Sequence, residues 1–226
     1  MTINKEMLIE DVKKIPGLFL GFLICAYGIA QIKVLNFGMA PWDTLVLGIA
    51  SKTGLEFGKV TQIMGFIIIL FSITIKIYPG IGTILNMTFV GLFVDLISKF
   101  NIVLSPENYF LKILVLFYAL IVLNYGLYRY LRFELGAGPR DGLMVGLVQI
   151  TGLSVKYVRT GLESVVLLVG FLLGGTVGLG TVIATLSGGY VLDKIFRWKS
   201  FDPKATCQRK LSDYVAINKS KTQVKS

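Results

Sequence analysis

The sequence predicts an all-α polytopic membrane protein with about six transmembrane helices. These form two inverted three-span repeats, each with a short half-helix after its first span. Three observations carry the prediction: an apolar composition, apolar runs of spanning length, and a duplication at a fixed offset. Of the 226 residues, 54% are hydrophobic and 16% are charged, against about 25% charged in soluble domains. Mean hydropathy is +0.72, which excludes disordered, collagenous and small disulfide-stapled classes. The chain has no histidine, which removes His-based general bases and His-ligated zinc. Its two cysteines, Cys25 and Cys207, lie in an apolar run and a polar tail and form no metal-ligand spacing.

A helix crosses about 30 Å of hydrocarbon with about 20 apolar residues. Six runs qualify in order: Pro16–Asn36, Gly58–Ile77, Ile81–Ser98, Tyr109–Leu131, Val158–Gly174 and Leu179–Phe196. Stretches such as Ile67–Ile75 lack the alternation of barrel strands, so helices are expected. Residues 1–15 are polar and charged and read as a cytoplasmic N-terminal segment. No small-residue cleavage site follows the first run, which reads as an uncleaved span. Residues 16–98 form the first membrane repeat, residues 109–197 the second, and residues 198–226 a basic, loosely ordered cytoplasmic tail.

The repeat emerges when the chain is shifted by 98 residues. Tyr27-Gly28 then meets Tyr125-Gly126, and Pro41 and Asp43 meet Pro139 and Asp141. Thr53-Gly54-Leu55 meets Thr151-Gly152-Leu153, and Gly80, Gly82 and Thr83 meet Gly178, Gly180 and Thr181. About a quarter of the aligned positions are identical. The short apolar pieces Pro41–Thr53 and Pro139–Thr151 would be about 20 Å long as helices, too short to cross. Each half therefore crosses three times, and an odd number turns the second half upside down. The basic tail places the C-terminus in the cytoplasm, and six crossings place the N-terminus beside it. An eight-span arrangement would move the segment with Arg129, Arg132, Arg140, Lys156 and Arg159 outside, against the distribution of basic loops.

The candidate site lies where the two half-helices begin. Pro41 and Pro139 suit a first helical position. Asp43 and Asp141 complement the positive end of the helix dipole. Those aspartates read either as simple helix-end residues or as a shared cavity lining that holds a proton, a cation or a cationic substrate group. The second half adds charge where the first is neutral: Arg140 stands for Trp42, Arg159 for Thr61 and Glu163 for Gly65. Arg159 and Glu163 share a helical face. A lone Glu163 inside a span would cost several kcal/mol, so Arg159 or Arg140 is its expected partner, as a structural pair or as part of a gate or substrate contact. Gly82 and Gly180, in the G-I-G-T and G-L-G-T turns, have a structural role, with the threonine able to cap the next helix. No lysine follows as in a phosphate-binding loop. Tyr27, Tyr125, Tyr128 and Tyr130 read as interfacial anchors or cavity walls.

The stretch G-A-G-P-R-D-G-L-M-V-G-L (Gly136–Leu147) resembles a signature of the YczE/YyaS/YitT family of bacterial membrane proteins. The stretches V-R-T-G-L-E (Val158–Glu163), L-G-G-T-V-G-L-G-T (Leu173–Thr181) and P-W-D-T-L-V-L-G (Pro41–Gly48) fit it too. The resemblance covers most of residues 16–197. It implies a multi-span inner-membrane protein, with members described as transporters or exporters, and it carries over no catalytic residues.

The functional expectation is a small secondary transporter whose polar site comprises Asp43, Arg140, Asp141, Arg159 and Glu163. The bilayer and a small molecule are its expected partners, and a homodimer is left open by its size. The rival expectation is a non-transporting scaffold or regulator that holds a cytoplasmic partner with its tail. No H-E-x-x-H, nucleophile elbow or carboxylate-rich metal motif is present, so neither an enzyme nor a cofactor or metal is expected. The net charge of +10 fits membrane orientation and anionic lipid without a nucleic-acid partner.

Overall fold

The computed structural model describes residues 2–3 and 5–216, with side chains for residue 7 and for residues 9–57 and 59–214. The chain is α-helical, with helices α1 (Lys5–Val34), α2 (Pro41–Thr53), α3 (Phe57–Thr74), α4 (Ile81–Lys99), α5 (Tyr109–Leu131), α6 (Pro139–Thr151), α7 (Val155–Leu172) and α8 (Leu179–Trp198). One two-residue antiparallel pair, Thr2–Ile3 with Val215–Ala216, joins the two ends of the described chain. Both short helices have the bounds read from sequence. Each starts at proline and ends on a left-handed glycine, Gly54 or Gly152, where a side chain would be strained.

Length and apolarity suit α1 (from Ile9), α4 and α5 for crossing a membrane. Helix α3 is apolar but shorter over Lys59–Thr74, while α7 carries Lys156, Arg159 and Glu163. Large apolar side chains face outward along the helices, among them Phe66, Leu92, Leu114, Leu168 and Phe171. So much outward apolar surface is what a lipid-facing exterior requires.

At the centre, α1 and α5 pack antiparallel: Gly21 sits against Tyr130, Gly28 against Leu123, and Gly126 against Cys25. A Cβ at Gly126 would lie 2.5 Å from the Cys25 amide nitrogen. Without a hydrophobic drive between helices in lipid, such close backbone approach is what holds them. Helix α4 packs on α1 and α8 on α5. The short helices cross over, with α2 against α7 and α6 against α3.

Two reciprocal contacts tie the ends. The Gly82 amide donates to the Leu135 carbonyl at 2.6 Å, and the Gly180 amide donates to the Phe37 carbonyl at 2.7 Å. Donors and acceptors are each 98 positions apart. Beside them Gly38 and Gly136 hold positive φ of 126° and 105°, which favours glycine. In each turn the threonine caps as expected: Thr83 Oγ1 accepts from the Gly80 amide at 3.0 Å, and Thr181 Oγ1 from the Gly178 amide at 3.2 Å.

The tail departs from expectation. Residues 199–214 are not loose but form a strap across one end of the molecule, and residues 217–226 lie outside the described residues. Phe201 packs on Tyr128 and Phe196. The Arg209 amide donates to the Glu134 carbonyl and the Leu211 amide to the Pro79 carbonyl. Arg209 pairs with Asp11 and, at 3.2 Å, with Glu10. Tyr214 donates to Asp11 at 2.6 Å. Burial, then this bond, pushes the Tyr214 phenol well up. The hydrogen bond to Asp11 leads in raising the Arg209 guanidinium. The sequence hid this strap because its contacts are isolated side chains and backbone hydrogen bonds with no period.

Candidate functional site

The polar side chains singled out by sequence come together where α2, α6 and α7 approach α5. Arg159 and Glu163 lie one turn apart on α7. Arg159 Nε donates to Glu163 Oε1 at 2.8 Å, and each side chain is 12% exposed. Arg159 Nη1 donates to Asn124 Oδ1 on α5 at 2.5 Å. Asn124 in turn donates to the Leu120 carbonyl at 2.7 Å. The expected partner of Glu163 is thus Arg159, and Arg140 goes elsewhere.

Arg140 reaches across to the other half-helix. Its Nη1 stands 3.6 Å from Asp43 Oδ1, with both side chains about one-third exposed. Its guanidinium also covers the Trp42 ring at 5.3 Å. Position 42 and position 140 correspond in the duplication, as do 43 and 141, so this pair joins the beginnings of the two short helices. Asp141 instead accepts a short hydrogen bond from the Tyr130 hydroxyl on α5. It also interacts electrostatically with Arg159 and Arg140. Neither aspartate takes a hydrogen bond from an amide of its own first turn among the described residues. Helix-end electrostatics remain for both, but their side chains are committed across helices.

The arrangement is a continuous set of charges: Asp43 to Arg140, then Asp141, then Arg159 and Glu163. Two arginines face three carboxylates, leaving one negative charge unmatched if all ionise. Pro41 and Pro139 begin the short helices, and Gly82 and Gly180 seat the turns that brace them. Asn124 was missed as a site residue, and Tyr130 was read only as an interfacial anchor or cavity wall. Asn124 had a signal: an amide in the middle of the apolar α5, where the first half has Ala26. Nothing in the sequence set Tyr130 apart from Tyr27, Tyr125 and Tyr128, and its bond to Asp141 shows only in the packed structure.

The fold and its outward apolar face define an α-helical membrane protein. Residues 12–197 match a family described as a family of unknown function, DUF6198, and the chain belongs to this YczE-like family. It is 37% identical over 180 residues to an uncharacterized protein of Haemophilus influenzae, covering 80% of this chain and 82% of the relative. It is 34% identical over 177 residues to the uncharacterized membrane protein YczE of Bacillus subtilis, covering 77% and 81%. The uncharacterized protein YyaS of the same bacterium is 25% identical over 177 residues, covering 76% and 87%. No solved structure matches.

Proposed function

We propose that the protein is a small secondary transporter or exporter of the bacterial inner membrane. In this reading six helices cross the bilayer as two inverted three-span repeats, with both termini cytoplasmic. The inversion is supported by the antiparallel packing of the corresponding helices α1 and α5 and by the reciprocal turn contacts. Helix α6 ends beside the strap, where Gln149 Nε2 donates to the Pro203 carbonyl at 3.0 Å. Helix α2 packs against the far end of α7, with Gly48 against Gly170 and Leu173. Each short helix therefore stays at its own end.

The observation that carries the proposal is the Asp43–Arg140 contact between the two helix beginnings, next to the buried Arg159–Glu163 pair. Ionisable side chains at membrane depth mark transport pathways. The 3.6 Å pair is the loose, accessible one, so it is suited to part when one half rocks against the other. Arg159–Glu163 is the tight one, and the bond from Arg159 to Asn124 keeps α7 in register with α5. The unmatched negative charge suits a coupling proton or monovalent cation, and Asp141 is its seat. A homodimer remains compatible with the outward face.

Proteoliposome flux driven by a proton or sodium gradient tests this reading. Asp141→Asn and Glu163→Gln are expected to lower flux at least about tenfold, corresponding to a barrier increase of about 1.4 kcal/mol. Unchanged flux in both variants would contradict the site assignment.

A further inference from the structure

On the face of α6 turned away from the charged site, Gly138, Gly142, Val145, Gly146 and Gln149 border a cavity of about 240 Å³. Helix α3 and its C-terminal turn supply Ile69, Ser72, Lys76 and Ile77, and the strap closes it with Thr206–Gln208 and Lys210. Residue 72 is 6% exposed, and its Oγ is buried with no hydrogen-bond partner. A buried unsatisfied hydroxyl costs about 1–3 kcal/mol, and Ser98, Ser154 and Thr160 carry the same cost elsewhere among the described residues.

The position 98 residues on supplies a contrast. There Gly170 lies directly on α2, and a Cβ added to it would meet the Leu45 amide nitrogen at 2.6 Å. Gly175 packs on Thr44 in the same closed crossing. Where the second half closes this crossing with glycines, the first half places Ser72, Lys76 and Ile77 around open space. The cavity is therefore a property of these side chains and not of the fold.

Its charge is one-sided. Lys76 has no ion-pair partner among the described residues. The Lys210 ammonium rests over the Tyr78 ring at 4.9 Å. The carboxylate at this turn, Asp213, accepts from the Lys210 backbone amide at 2.8 Å. The remaining walls mix apolar side chains with the polar Thr83, Gln149, Thr206 and Gln208. We infer that this cavity binds a small organic anion, its charged head held by Lys76 and Lys210 and its apolar body against Ile69, Ile77 and Val145. A free carboxylate and the head of an anionic lipid share this chemistry. The site is distinct from the Asp43–Glu163 cluster and does not depend on transport.

Cys207 reports on it directly, because it lines the cavity and is exposed, whereas Cys25 is buried. The test is the alkylation rate of Cys207 in the full chain in phosphatidylcholine nanodiscs. Hexanoate is expected to slow the reaction saturably, by about tenfold at nine-tenths occupancy. Lys76→Gln with Lys210→Gln is expected to lose protection without changing the rate in the absence of hexanoate. Protection by phosphatidylglycerol nanodiscs but not by hexanoate would assign the site to a lipid head. Equal protection by neutral hexanol, protection that survives in the double lysine variant, or no protection by any probe would overturn the inference.

Discussion

At the residue scale, the Arg159 guanidinium holds two neighbours in different helices: Glu163 through Nε and Asn124 through Nη1. A lysine has no planar fork to hold both. Removing one partner of a buried pair strands the other charge and costs about 3–5 kcal/mol. Arg159→Ala is therefore expected to destabilise the protein by about 3 kcal/mol. Glu163→Gln should cost less, because Arg159 keeps Asn124. Thermal unfolding in detergent checks both, and equal melting temperatures for Arg159→Ala and the parent would refute the pair's structural role. The charged members of this site were legible because the duplication supplies its own reference: each arginine and Glu163 stands out against a neutral residue 98 positions earlier. The pairing itself was open, since sequence spacing let either arginine serve Glu163. Only the position of α2 draws Arg140 toward Asp43 and away from Glu163.

At the scale of elements, the α1–α5 contact and the strap make separate predictions. Gly126 meets the backbone of α1 at Cys25, so Gly126→Leu forces the central helices apart. Overpacking typically costs about 1–3 kcal/mol, and a drop in melting temperature with loss of monodispersity in detergent is the expected result. The strap is fastened through Arg209, Asp11 and Tyr214. Arg209→Ala should expose residues 199–214 to limited trypsin digestion, whereas deleting residues 217–226 should leave the melting temperature unchanged. Deletion from Lys199 onward would remove the fastening as well, so only the shorter deletion isolates tail recruitment. The raised Tyr214 phenol adds a pH dependence. Its contribution is complete below the ordinary phenol pKa of about 10 and is lost as pH rises through the higher folded value. Trypsin sensitivity of the strap should therefore increase only under strongly alkaline conditions. The helices themselves were legible from their apolar runs and from the proline and glycine at the two ends of each short helix. The strap was not, because it is held by isolated contacts, polar ones with α1 and the α3–α4 and α5–α6 turns and the Phe201 ring on Tyr128 and Phe196, none of which leaves a periodic trace.

At the scale of the whole molecule, the account rests on the proposed inversion of the two halves. The duplication was legible as matched P-x-D, T-G-L and G-x-G-T positions. Which way each copy faces followed only from counting crossings, and among the described residues three helices meet the length and apolarity of a span. The packing adds what sequence lacks. Corresponding central helices run in opposite directions, and the turns before α4 and α8 exchange equivalent hydrogen bonds. Yet the halves are not equal, since glycines close the α2–α7 crossing while Ser72, Lys76 and Ile77 leave the α3–α6 crossing open. The most direct measurement is membrane-impermeant thiol labelling in oriented vesicles, in a background carrying Cys25→Ser and Cys207→Ser. The exposed, corresponding ends of the short helices are probed one at a time with Thr53→Cys and Thr151→Cys. The account predicts labelling of position 53 from the external side alone and of position 151 from the cytoplasmic side alone. Labelling of both from one common side would contradict it.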